Sequence, residues 1–133
     1  MGNNYLHSEL TSLIIQCFYR VYNTLGYGFL EKVYENAMLI ELRHRGLSCL
    51  PQVSVDVYYG ESRVGFYVAD IIVENCVIIE LKEAETLCEE HEAKLTNYLR
   101  ATDIEVGILL NFGKKPELKR KIFSTEYKNH NKS

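Results

Sequence analysis

Two carboxylates and an ammonium group stand in one of the most apolar stretches of the 133-residue chain, Asp70-Ile-Ile-Val-Glu-Asn-Cys-Val-Ile-Ile-Glu80-Leu-Lys82. The stretch describes two strands joined by a tight turn near Glu74-Asn75-Cys76. If the loop has three residues, Asp70 stands opposite Glu80, with Cβ atoms ~4.5–5.5 Å apart on one face of the sheet. Glu80 and Lys82 are two residues apart on one strand and share that face, while Ile79 and Leu81 point into the core. A two-residue loop would put the carboxylates on opposite faces, so the chemistry depends on register. Side by side, two carboxylates repel, and one takes up a proton unless a cation intervenes. Mg²⁺ favours a site of one or two carboxylates with several retained waters. Lys82 can hold a phosphate oxygen or help deprotonate a metal-bound water. The set suits metal-assisted hydrolysis of a phosphodiester. The other reading is a hairpin with a cross-strand Lys–Glu pair and an exposed Asp at a strand edge. It is weakened by Val77-Ile78-Ile79 and Leu81, which imply a mostly buried strand where unpaired charge is costly.

The elements that must position these groups follow from periodicity. Ser8 to Leu25 carries a helix-period apolar stripe, with Ser8 as a cap and Gly26 as a terminator. A second helix, residues 30–45, is ended by Gly46, and Leu30, Val33, Tyr34, Ala37, Met38 and Ile40 are its expected core face. Glu41 falls inside that arc and Glu31 at its edge, where a carboxylate must be paired, metal-bound or at the mouth of a cleft. Residues 50–59, 63–73 and 77–82 read as three strands joined by tight turns and therefore antiparallel. A helix over 88–101 precedes a doubly buried strand over 105–112, which a right-handed crossover makes parallel to the third strand. The expected fold is α/β, a mixed four-stranded sheet flanked by helices, in one domain over 1–133. Residues 114–133 read as a charged tail that frays beyond Tyr127.

Composition narrows the setting. The chain is 47% apolar with a net charge of -3, so bulk charge gives no argument for nucleic acid or anionic membrane, and a nucleic-acid site must be a local basic patch. Cys17, Cys49, Cys76 and Cys88 form no C-x-x-C pair, and no signal peptide or long apolar run is evident, which reads as a reduced, cytoplasmic protein without a membrane partner. Cys17 and Cys49 read as small core residues. Cys88 and His91 lie three apart but lack a second ligand pair, so zinc is poorly supported.

The order helix, three strands, helix, strand, with Asp70, Glu80 and Lys82 in place, resembles the PD-(D/E)XK nuclease superfamily and its restriction-endonuclease-like core. More narrowly, the chain looks like the small bacterial GxxExxY family, with Gly28-Phe-Leu-Glu31-Lys-Val-Tyr34 as the motif. "YENAMLIELRHRG", "ADIIVENCVIIELK", "HEAKLTNYL" and "GILLNFG" extend the likeness over residues 8–113. The resemblance implies a Mg²⁺ or Mn²⁺ cofactor held by Asp70, Glu80, the Leu81 carbonyl and Glu31, with Lys82 activating water or holding phosphate. On the later helix that family carries Gln and then Tyr four residues on. Tyr98 matches, whereas Lys94 replaces the Gln. A lysine there can bind phosphate as a point charge or pair with Asp70 or Glu80 and compete with the metal.

Positive charge for a DNA or RNA substrate is offered by the run Lys114 to Lys121, within which Lys119 and Arg120 could flank the cleft. Tyr58, Tyr59 and Tyr67 are candidates for stacking on bases. No helix-turn-helix or zinc finger is evident, which points to structure or ends rather than base sequence as the cue. A homodimer is compatible with the small cleft such a chain offers a duplex. Two alternatives to a nuclease stay open: a catalytically idle binding or assembly module whose trio is an ion-pair cluster, and a phosphodiesterase for small nucleotides.

Overall fold

The computed structural model describes residues 7–124. In chain order the elements are α1 (Ser8–Leu25), α2 (Glu31–His44), β1 (Cys49–Tyr59), β2 (Ser62–Val73), β3 (Val77–Lys82), α3 (Glu89–Arg100), β4 (Val106–Phe112) and β5 (Pro116–Ile122). The five strands form one sheet in the order β1-β2-β3-β4-β5. Only β3 and β4 are parallel, with Ile79 beside Ile108 and Glu80 beside Leu109; the other neighbours are antiparallel. This is a mixed α+β architecture consistent with a restriction-endonuclease-like fold, with five strands rather than the four expected. Among the described residues no helix is long and apolar enough to cross a membrane.

The extra strand comes from the segment read as a charged tail. Pro116–Ile122 pairs with β4, and Leu118 and Ile122 pack against the core while Lys119 stays exposed. An edge strand needs only one apolar side, and lysines along it deter pairing with another chain. Tyr127, where fraying was expected, lies outside the described residues.

The sheet separates two apolar layers. On one face Ile14, Cys17, Phe18 and Val21 of α1 and Tyr34, Met38 and Leu42 of α2 pack with Ile71, Val73, Val77, Ile79, Leu81, Ile108 and Leu110. On the other, Leu95 and Leu99 of α3 meet Ala69, Ile72, Ile78 and Leu109. Each fully buried Val, Leu, Ile, Phe or Met among them contributes roughly 1.5–3 kcal/mol. Cys17 and Cys49 are buried here, as their small apolar character suggested.

Two details of the helices differ from expectation. His7, not Ser8, occupies the N-cap of α1, without a side-chain cap, and the Thr11 hydroxyl donates back to the His7 carbonyl at 2.8 Å. The inward face of α2 is Tyr34, Glu35, Met38, Leu39 and Leu42, while Leu30, Val33 and Ile40 are exposed. The helix carries two apolar arcs, and packing against α1 and the sheet selects the one that includes Tyr34, Met38 and Leu42. This rotation turns Glu31, four residues before Glu35, towards the sheet.

Tyr34 fixes where α2 begins. Its ring stacks on Phe112 at 4.2 Å between centroids, and Phe18 packs edge-on to the same ring at 4.9 Å. Its hydroxyl donates to the Gly26 carbonyl at 2.8 Å and accepts the Phe29 amide at 3.2 Å. The loop it ties contains Gly28 at φ 106, a conformation that suits glycine. Tyr34→Phe leaves the stack intact and strands the Phe29 amide and Gly26 carbonyl. A loss of about 1–2 kcal/mol in urea-measured stability is expected, and an unchanged midpoint would show that the loop does not depend on this hydroxyl.

Candidate active site

The turn between β2 and β3 settles the register. Glu74 and Asn75 take φ of 52 and 56, and Val73 pairs with Val77, Ile72 with Ile78 and Ile71 with Ile79. The loop is therefore the three-residue form, and the next rung sets Asp70 opposite Glu80. The backbone ladder stops one rung short of them. In its place side chains bridge the strands: the Leu81 amide donates to Asp70 Oδ2 at 2.8 Å, and the Asp70 amide donates to Glu80 Oε2 at 3.1 Å. Asp70 thus turns into the gap between β2 and β3 instead of standing squarely on one face. The alternation of β2 breaks at the same point, since Ile71 packs with the α1–α2 layer and Ala69, two residues away, with the α3 layer.

Burial sets the electrostatics. Glu80 is 6% exposed. Desolvation, reinforced by the charge of Asp70, pushes its carboxyl up to about 8, against the Asp70 amide and Lys82, which hold it down. Burial also raises Asp70, opposed by the Leu81 amide and Lys82. Glu31, at the first position of α2, is raised by burial and then by Asp70, and lowered by Lys82. Asp70, Glu80, Lys82 and Glu31 therefore form one electrostatic cluster. Among the described residues neither Asp70 nor Glu80 is in an ion pair.

Several supports were not expected. Asn111, in register with Lys82, is fully buried. Its side chain accepts the Ala84 amide at 2.8 Å and donates to the Ala84 carbonyl at 2.9 Å and to Glu117 at 3.0 Å, pinning the exit of β3. A lone amide in the apolar run "EVGILLNF" was the available signal. Glu35, 3% exposed, bonds Lys32 at 2.6 Å and the Gln52 amide. Its signal was its spacing of four from Glu31, hidden while the helix face was centred on Leu30 and Val33. Glu41 is met by Arg20 at 3.3 Å, the pairing its position required.

The α3 candidates divide. Tyr98 stacks on Tyr67 with centroids 3.7 Å apart and planes 6° from parallel, and the Tyr67 hydroxyl donates to the Tyr98 carbonyl. Burial, then Glu80, raises both phenols, so these rings border the carboxylates. Lys94 is exposed and makes no ion pair among the described residues. Cys88 and His91 cap α3 between themselves, with the Cys88 amide 3.2 Å from His91 Nδ1. Lys119 and Arg120 are not brought together. Lys119 lies on the α3 side with Lys121, which pairs with Glu92 at 2.5 Å, whereas Arg120 shares its side with Leu118 and Ile122 towards α1 and α2. Tyr58 and Tyr59 are exposed at the end of β1. A small cavity of about 210 Å³ lies between Gly28, Glu83, Ala84 and Gly113, just past the end of β3.

A family model of the PD-(D/E)XK nuclease superfamily matches residues 8–121. The chain belongs to that superfamily. PD-(D/E)XK nucleases generally use divalent metals. The fold is similar to that in a crystal structure of SSO0001, with a TM-score of 0.57 at 17% identity over 93% of this chain. This chain spans 63% of that structure's length. No curated protein matches.

The donor set of this PD-(D/E)XK chain fits a hard divalent cation. Among the described residues no three acidic, histidine or cysteine side chains form a ready metal cage. Mg²⁺ does not ask for one, since one or two carboxylates with retained waters suffice. Asp70 and Glu80 each direct one oxygen to a backbone amide and are raised by burial, which is the situation a cation relieves.

Proton linkage gives a test of this burial. Because Glu80 titrates above its ordinary value, the folded chain holds a proton that the unfolded chain releases. Stability without divalent metal should therefore be greatest below the ordinary glutamate value of 4.5 and fall as pH rises towards about 8. Glu80→Gln, neutral throughout, should flatten this fall and stabilise the metal-free chain at pH 8 by on the order of 3 kcal/mol. Urea unfolding in chelator across that pH range checks it; wild-type stability that rises with pH would contradict the assignment.

Proposed function

We propose that the chain hydrolyses phosphodiester bonds of DNA or RNA with Mg²⁺ or Mn²⁺ held by Asp70, Glu80, the Leu81 carbonyl and Glu31. The observation that carries this reading is the adjacency of buried Glu80 and half-buried Asp70, with no bonded cationic side chain among the described residues. A structural ion-pair cluster needs such a cation, and neither Lys82 nor Lys94 supplies one, so the idle-module reading is the weaker. Within the superfamily we place the chain in the GxxExxY group on Gly28, Glu31 and Tyr34. In this chain Tyr34 serves the loop and core.

When bound, the divalent cation supplies a Lewis acid for the phosphoryl oxygen and a water of lowered pKa. Asp70 and Glu80 orient through the crossed backbone bonds that fix one oxygen of each. Glu31 approaches from the start of α2. Lys82, partly buried at the end of β3, holds a non-bridging phosphate oxygen or accepts the proton of the attacking water. Lys94, Tyr98 and Lys119 offer substrate contacts from the α3 side, and Arg120 lies across the sheet from them. A net charge of -3 favours recognition of ends or of distorted structure through few phosphate contacts.

Asp70→Asn, Glu80→Gln and Lys82→Ala should each lower cleavage of single- and double-stranded DNA and RNA by ~100-fold or more without unfolding the chain. Calorimetry should show Mn²⁺ binding that Asp70→Asn removes. Equal residual cleavage by wild type and Asp70→Asn would identify a contaminant and end the proposal. Lys94→Ala should raise KM with little change in kcat, the mark of a contact made equally in ground and transition states. An unchanged KM removes Lys94 from the substrate path.

A further inference from the structure

We propose that Glu35 and Gln52 are a positioning pair that aims the Asp70 carboxylate into the gap between β2 and β3. The functional consequence rests on the reading of Asp70 as a metal ligand; the positioning itself does not. Gln52 lies on β1 between Pro51 and Val53, whose partners on β2 are Ile71 and Ala69, so it faces Asp70 across the strands. Its φ is 53, inside a strand and in the left-handed region that non-glycine residues rarely adopt. This departure coincides with the break in alternation at Asp70, where Ile71 and Ala69 part to different layers. The Gln52 amide donates to Glu35 Oε1, and it lies near enough to Asp70 to help hold that carboxyl down.

Glu35 decides which end of that amide faces Asp70. A carboxylate only accepts, so it must meet the NH₂ end of Gln52, and the amide cannot turn its oxygen towards Asp70 without losing this bond. The other Glu35 oxygen is held by Lys32 Nζ at 2.6 Å, and the residue is 3% exposed, which leaves the carboxylate little freedom. Asp70 is then flanked by the Gln52 amide on the β1 side and held by the Leu81 amide on β3 at 2.8 Å. Glu35 sits one helical turn beyond Glu31, so the same face of α2 carries a candidate ligand and the anchor of a second one.

Gln52→Gly and Glu35→Gln test this in the metal-free and Mn²⁺-titrated chain. Glycine removes the amide but suits the positive φ, so Gln52→Gly should still fold cooperatively, the relieved strain offsetting part of the bond lost at Glu35. In it the Leu81 amide should exchange with solvent ~10-fold faster or more, while amides of the β3–β4 ladder keep their protection. Mn²⁺ affinity by calorimetry should weaken ~10-fold or more. Glu35→Gln, which can still present an oxygen to Gln52, should show smaller shifts in the same direction. Unchanged Leu81 exchange in both variants overturns the pair, and if wild type binds Mn²⁺ the metal reading survives that result. Faster Leu81 exchange in Gln52→Gly with no Mn²⁺ binding by wild type upholds the pair and sinks the metal reading instead.

Discussion

The structure turns on one missing rung. Where β2 and β3 should continue their ladder past Ile71 and Ile79, two side chains take over the hydrogen bonding, Asp70 to the Leu81 amide and Glu80 to the Asp70 amide. The exchange satisfies backbone amides that would otherwise be orphaned near the core. It also confines two carboxylates to a place where their charges are poorly solvated and repel each other. Everything around them serves to hold that arrangement or to compensate it.

Holding it is the work of apolar packing. Ile79 and Leu81 lock β3 into the α1–α2 layer, and Ile78 into the α3 layer, so Glu80 and Lys82 have fixed positions between buried neighbours. Asn111 ties the chain just beyond Lys82, and Tyr34 with Phe112 fixes the loop before Glu31. Site residues from α2, β2 and β3 thus share one framework, which is how a small sheet can keep carboxylates in register without a dedicated cage.

Compensation is incomplete within the chain. Lys82 lowers the carboxyls around it but bonds to none of them among the described residues, and burial leaves Glu80 near neutrality's alkaline side. A divalent cation is the partner that this charge pattern suits. The stacked Tyr67 and Tyr98 give the α3 side of the cluster a rigid apolar wall.

Much of this was legible in the chain itself. The stripe from Ser8 to Leu25 gave α1 to the residue, because a one-sided amphipathic pattern has one solution. The apolar run with a short polar turn gave the hairpin and its register, because a period of two ties side-chain direction to loop length. The trio of Asp70, Glu80 and Lys82 followed from that register. What tertiary structure alone decided has a common cause, which is that local pattern does not say which neighbour a side chain will meet. The second helix has two apolar arcs, and only packing on α1 and the sheet chose Tyr34, Met38 and Leu42 over Leu30, Val33 and Ile40. Pro116–Ile122 is charged enough to read as tail, and only the free edge of β4 makes it a strand. Lys119 and Arg120 are adjacent in sequence yet face opposite sides of the sheet for the same reason. Glu35 and Gln52 stand 17 residues apart, and nothing local to either reveals the bond between them.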